Sequence, residues 1–191
     1  MNFLAHLYLS GKNEEVMLGN FMADAVKGKQ AAAFSEGIQK GIALHRAIDT
    51  YTDSHPVVTE IKDLMRPVMG KYSPVVADVF LDHFLAVDWE NHHHQSLDEY
   101  VAETYTFLQA NTHLLPARTS GMLPYMVQHN WLLAYRHIAG IATVMTQMGR
   151  RAKFENKMHL SGEELQRNYS HYAKGFAAFF PGLMKHAEER L

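Results

Sequence analysis

The chain has no cysteine. Disulfides, thiolate metal sites and cysteine nucleophiles are therefore excluded, and the absence suits a reducing cytoplasm. Long apolar runs are also missing. Charged residues interrupt every stretch that approaches the roughly 18 residues a membrane span needs, so no span is expected. The opening Met1-Asn2-Phe3-Leu4-Ala5-His6-Leu7 has no basic flank, and His6 breaks its apolar run, which argues against a signal peptide. There is no excess of positive charge: the formal net charge is −2, so no global attraction to nucleic acid is implied. No stretch rich in glycine, serine and proline divides the chain, and residues 1–191 are expected to form one domain. Alternating β-branched runs are absent too, so strands are not expected.

What remains is helical patterning and an abundance of metal-binding side chains. Val16, Met17 and Phe21, then Ile38, Ile42, Ile48 and Tyr51, recur at helical spacing, and Pro56 predicts a helix end at Ser54 or His55. Ser73-Pro74 reads as an N-cap followed by proline, opening a helix to about Ala86. Ser96 to Glu99 and Ser161 to Glu164 each read as a capping box. Lys27-Gly28 reads as a helix C-terminus. The expectation is an all-α, compact bundle of seven or eight helices. The chain carries 13 histidines and 20 acidic residues, the donor types of Mn, Fe and Zn sites.

Four segments place such donors inside apolar helices. In the first, His45, Asp49 and Asp53 are spaced by four, so one helix face carries an imidazole and two carboxylates. That face is either solvated or a ligand face. In the second, Asp82-His83 interrupts the apolar stretch Val79 to Ala86, and Asp82 needs a cation, a donor or water. In the third, Asn20 and Asp24 share a face ahead of Lys27, which is either solvated or reaches an anion. The fourth is His6, either a satisfied core histidine or a ligand. Helices can converge such residues on one cation. Mixed imidazole and carboxylate ligation suits Mn²⁺, Mg²⁺ or Fe²⁺ better than structural zinc. The Glu90-x-x-His93 match has no partner motif of the di-iron kind, and His92 to His94 read as a solvated loop. Trp131, Tyr135, Met145 and Met148 read as core.

These motifs together, Met1 to Leu7, Gly19 to Gly28, Leu44 to Pro56 and Asp82 to Ala86, resemble the bacterial acyl carrier protein phosphodiesterases, also called acyl carrier protein hydrolases. The likeness continues through Asn130-Trp131-Leu132, Arg150-Arg151 and Phe179-Phe180-Pro181, although Ala25 and Leu81 stand where relatives are expected to carry aromatics. The resemblance implies an HD-domain-like fold, with the pair in the order Asp82-His83 rather than His-Asp. It implies Mn²⁺-dependent hydrolysis that removes 4′-phosphopantetheine from a serine of holo-acyl carrier protein, in the cytoplasm, with no nucleic-acid or membrane partner. Residue type and spacing then suggest Asp24, His45, Asp82 and His83 as metal ligands. His6 and Asp49 would stand behind the metal or move protons, and Lys27 and Arg46 would face the phosphate. Arg150, Arg151 and Lys153 form a candidate docking patch for an acidic carrier protein. Two alternatives remain open: an HD-like phosphohydrolase of a nucleotide or other small phosphate ester, and a non-catalytic helical metal-binding protein.

Overall fold

A computed structural model describes residues 1–191 as eleven α-helices joined by short turns. In chain order they are α1 (Phe3–Tyr8), α2 (Glu14–Met22), α3 (Glu36–Ser54), α4 (Pro56–Met69), α5 (Ser73–Val87), α6 (Leu97–Ala110), α7 (Ala117–Gln128), α8 (Trp131–Ala134), α9 (Ile138–Arg151), α10 (Ser161–Arg167) and α11 (Tyr169–Glu188). Eight have nine residues or more, and there are no strands, so the all-α bundle is borne out. None is long and apolar enough to cross a membrane. One apolar core runs from Met1 to Ala187, and Trp131, Tyr135 and Met145 belong to it.

Local chemistry sets most of the boundaries. Asn13 caps α2 by accepting from Val16 N–H, and Ser35 does the same for Ile38 at the start of α3. Pro56 cannot continue α3, so that helix stops at Ser54 and α4 begins with the proline in its first turn. Ser96 and Glu99 form the expected capping box. The other expected box fails. Ser161 Oγ has no partner, and the buried Glu164 instead accepts from Asn168 Nδ2 and Tyr172 Oη at 2.7 Å each. Ser73 also does not cap α5, since its hydroxyl donates to Gly70 O. The helix end expected at Lys27-Gly28 comes earlier: α2 stops at Met22, a 3-10 turn spans Ala23–Ala25, and Gly28 with its φ of +51° opens another. His92 and His93 are half-buried against aromatic rings rather than fully solvated, with His92 Nε2 3.1 Å from Asp88.

Helix α5 places Asp82 and His83, both expected as metal ligands, against other hydrogen-bond partners. Asp82 is fully buried, and its carboxylate accepts backbone N–H groups from Asn2 (3.0 Å), Leu4 (2.8 Å) and Ala5 (3.4 Å). It thus caps α1 from a distant helix, where the exposed amide dipoles favour an acceptor. Burial pushes its pKa up to about 7 against the opposing pull of the nearby terminal amine and these amides. His83 turns the other way, with Nδ1 2.7 Å from Tyr135 O and Nε2 3.2 Å from Tyr169 Oη. Neither residue joins the cluster of histidines and carboxylates described below.

This assignment separates stability from ligation. Asp82→Ala strands buried N–H groups at about 1–3 kcal/mol for an unsatisfied donor, so urea denaturation should show a loss of at least that size. Asp82→Asn, which keeps an acceptor, should restore most of it. Calorimetric titration of the Asn variant with Mn²⁺ should show near-wild-type affinity; a loss of more than tenfold would return Asp82 to the ligand set.

Candidate metal centre

The site begins with a close approach between α2 and α3. A Cβ on Gly19 would lie 2.1 Å from Ile38 O, and one on Gly41 would lie 2.1 Å from Val16 O. Only hydrogen at both positions lets the two backbones touch. Asn20, the residue after Gly19, is thereby pressed against α3 and α1. It is fully buried, and its bonds account for every polar atom of its side chain. Asn20 Nδ2 donates to His6 O at 2.8 Å and to Ser10 Oγ at 2.9 Å. Its Oδ1 is therefore the acceptor facing His6 Nδ1 at 2.8 Å, while its backbone carbonyl lies 2.9 Å from His45 Nδ1.

The tautomers follow from these partners. A carbonyl can only accept, so Nδ1 of both histidines carries hydrogen and both Nε2 atoms are turned toward the same space. The two rings stack with centroids 4.0 Å apart at 18°. Asp49, one turn beyond His45 on α3, bridges them: Oδ1 is 3.2 Å from His6 Nε2 and Oδ2 is 3.1 Å from His45 Nε2. Asp24, from the 3-10 turn after α2, adds Oδ1 at 3.3 Å from His45 Nε2 and is exposed at the mouth. One ligand atom from each of His6, His45 and Asp49 lies within 4.8 Å of the others. They open on a polar pocket of about 200 Å³ that also takes in Asp53, Asp78 and Thr52, whose buried hydroxyl has no partner.

Charge in the pocket is unevenly held. Burial lowers the His6 pKa to about 4, with the Asp49 hydrogen bond opposing and the neighbouring His45 assisting. Burial works against a charged His45 as well, but hydrogen bonds to Asp24 and Asp49 outweigh it and push that pKa up to about 9. Burial opposes ionisation of Asp49, yet its bonds to both histidines hold it well below the usual carboxylate range. The cluster therefore holds a neutral imidazole, an imidazolium and carboxylates. Its donor set fits a divalent cation that takes both nitrogen and oxygen. His45 Nε2 is also sealed from solvent, facing the Asp24 and Asp49 carboxylates.

The family model for acyl carrier protein phosphodiesterase matches residues 1–183. The chain belongs to the acyl carrier protein phosphodiesterase family. Among curated relatives that bear this name, one from Photorhabdus laumondii is 30% identical over 191 residues, which is 100% of this chain and 96% of the relative. Another, from Escherichia coli O157:H7, is 32% identical over 193 residues, covering 100% of this chain and 99% of the relative. No solved structure matches.

Within this family member, the residues singled out by sequence divide into three groups. His6, Asp24, His45 and Asp49 converge, so His6 and Asp49 belong to the cluster itself rather than behind it. Lys27 and Arg46 stand on the adjacent surface, both exposed, with Arg46 Nη2 3.5 Å from Val26 O and neither in the pocket wall. Asp82 and His83 lie elsewhere. Sequence reading did not assign a site role to Asn20, Ser10 or Asp78. The available signal for Asn20 was an uncapped polar residue among Val16, Leu18, Phe21 and Met22, all buried.

Two measurements follow. Cation binding must displace the proton from His45, whose folded pKa exceeds its free value of 6.5. The Mn²⁺ association constant should therefore rise about tenfold per pH unit from pH 7 toward 9 and then level off; a flat profile would oppose ligation by His45. By the same linkage, His45 stabilises the cation-free fold fully below pH 6.5, and this contribution is lost as pH rises through 9. Asn20→Ala frees the His6 tautomer while leaving the backbone carbonyl against His45 Nδ1, and should weaken Mn²⁺ binding by about 10–100-fold, the usual cost of losing a ligand's hydrogen-bond partner. The protein should still fold, as checked by circular dichroism.

Proposed function

We propose that the protein is a metal-dependent phosphodiesterase that hydrolyses the bond joining 4′-phosphopantetheine to the serine of holo-acyl carrier protein. The observation that carries this reading is the convergence of His6, His45 and Asp49 in a polar pocket of a chain from this family. His6 Nε2, His45 Nε2 and the Asp49 carboxylate would hold the cation, with Asp24 completing the set from the mouth. A divalent cation bound there supplies Lewis-acid polarisation of phosphoryl oxygens and an acidified water. Mn²⁺ is the ion favoured, with Mg²⁺ or Fe²⁺ as substitutes, because the donors mix imidazole with carboxylate.

The protein's own groups account for the rest. Asn20 keeps both imidazoles in the tautomer that leaves Nε2 free, so the ligands need no reorganisation as substrate arrives. Asp24 is exposed and is held below the usual carboxylate range by its His45 hydrogen bond, against partial burial. It is placed to orient a water at the mouth and to accept its proton. Lys27 and Arg46, on the adjacent surface outside the pocket wall, would offset charge on the approaching carrier. Water adds to phosphorus, the bond from phosphorus to the serine oxygen breaks, and the serine leaves as its hydroxyl. A storage site would need no cations beside its anionic ligands, which favours catalysis. Arg150 and Arg151, in the last turn of α9, remain a candidate docking surface for the carrier.

Purified protein, chelated and then resupplied with Mn²⁺, should convert holo-acyl carrier protein to the apo form, seen by mass spectrometry as loss of the phosphopantetheine mass. The chelated sample should be inactive. Asp49→Asn and His45→Gln should each lower kcat/KM by at least about 100-fold, a transition-state loss near 2.7 kcal/mol. Full activity after thorough chelation would remove the metal mechanism.

A further inference from the structure

A second recess lies beside the metal pocket and has no role in the chemistry above. It is a groove of about 370 Å³ between α8 and the first half of α9, bounded by Trp131, Ala134, His137, Gly140, Thr143 and Val144. Its floor is small because the helices meet backbone to backbone: a Cβ on Gly140 would lie 2.0 Å from Ala134 O. Its lining is chiefly apolar, unlike that of the metal pocket, with His129 and His137 exposed at its edges. The groove and the metal pocket share an aromatic partition. Phe3 lines the metal pocket three residues before His6, and its ring lies 6.5 Å from that of Trp131, which lines the groove. Trp131 is buried, and its Nε1 is sealed from solvent and has no partner.

We infer that this groove binds the pantetheine arm of the substrate while its phosphate lies at His6, His45 and Asp49. The inference rests on the proposed phosphodiesterase reading. Pantetheine is extended, mostly apolar and interrupted by amides. An apolar groove beside the phosphate pocket matches the methyl and methylene groups of that arm. The phosphate pocket is lined mostly by carboxylates, imidazoles and other polar groups, with Met1, Phe3 and Phe21 its apolar members. The groove also gives a reason for cleaving a pantetheinyl ester in preference to other diesters. Binding energy gathered along the arm, away from the reacting bond, orients phosphorus over the ligands.

Thr143 and Ala139 are exposed on α9, away from the metal cluster, and a larger side chain at either would occupy the groove. Thr143→Phe and Ala139→Leu should each weaken pantetheine binding at least tenfold by calorimetry. Each should raise KM for holo-acyl carrier protein by a similar factor. Hydrolysis of bis(p-nitrophenyl) phosphate, which has no arm, should stay at the wild-type rate. Two variants are used so that a misfolded one leaves the other to decide. Pantetheine binding that neither variant alters, or no binding by the wild type, overturns the groove assignment while the hydrolysis of the carrier stands by itself. Pantetheine binding that both variants weaken, in a protein that leaves holo-acyl carrier protein intact, upholds the groove and overturns the phosphodiesterase reading.

Discussion

The contact of Gly19 with Gly41 is the constraint from which the site follows. Two helices packed through ordinary side chains stand 8–10 Å apart. At that separation Asn20 could not set its carbonyl against His45 Nδ1 while its amide spans to His6 and Ser10. With hydrogen as the only side chain at both positions, α2 and α3 close until a backbone group of one serves as the hydrogen-bond partner of a cluster histidine on the other. Main-chain carbonyls cannot rotate away or change protonation. The tautomer of His45 is thus fixed by the fold itself, and that of His6 by an amide whose own orientation is fixed by two donated bonds.

Electrostatics then gives the pocket its preference. Two imidazoles stacked at 4.0 Å cannot both be charged at modest cost, and burial depresses one of them, His6. Four carboxylates, from Asp24, Asp49, Asp53 and Asp78, converge on the same small volume. Asp53 has Lys62 at 2.7 Å and Asp78 has the Met1 amine at 2.9 Å, so those two are internally balanced. Asp24 and Asp49 have only the histidines. A single proton on His45 compensates them partly, and a divalent cation in its place would compensate them more fully while satisfying both Nε2 atoms.

Much of this was legible because helix periodicity is rigid. The spacing of His45 and Asp49 guarantees a shared face once Ser35 and Pro56 bound the helix, and the structure keeps that face on the pocket. His6 and Asp24 were legible as donors embedded in apolar surroundings. Periodicity within one helix does not say which distant group a buried carboxylate meets, so the partners of Asp82 were not legible. Its partners are three amides some 80 positions away, and a sequence offers no sign of unsatisfied N–H groups at the start of a short helix. The partners of His83 were hidden for the same reason, since Tyr135 O and Tyr169 Oη reach it from the ends of α8 and α11. Ser161 misled in the opposite sense: the local pattern of a capping box was present, but Tyr172 and Asn168 took Glu164 first.

Asp82 nevertheless stays connected to the chemistry, through the backbone. Helix α1 has six residues, too short to hold itself together by its own hydrogen bonds. Asn2 caps its first amide, and Asp82 gathers three N–H groups at its start from the rigid face of α5. His6 lies in that helix's last turn, and Phe3, the partition between pocket and groove, in its first. One buried carboxylate therefore sets the position of a cluster histidine and of the aromatic wall together. The density of charged and polar residues in these apolar helices is thereby explained in two parts. Some of them form the site, and Asp82 holds in place a segment that would otherwise have no reason to stay.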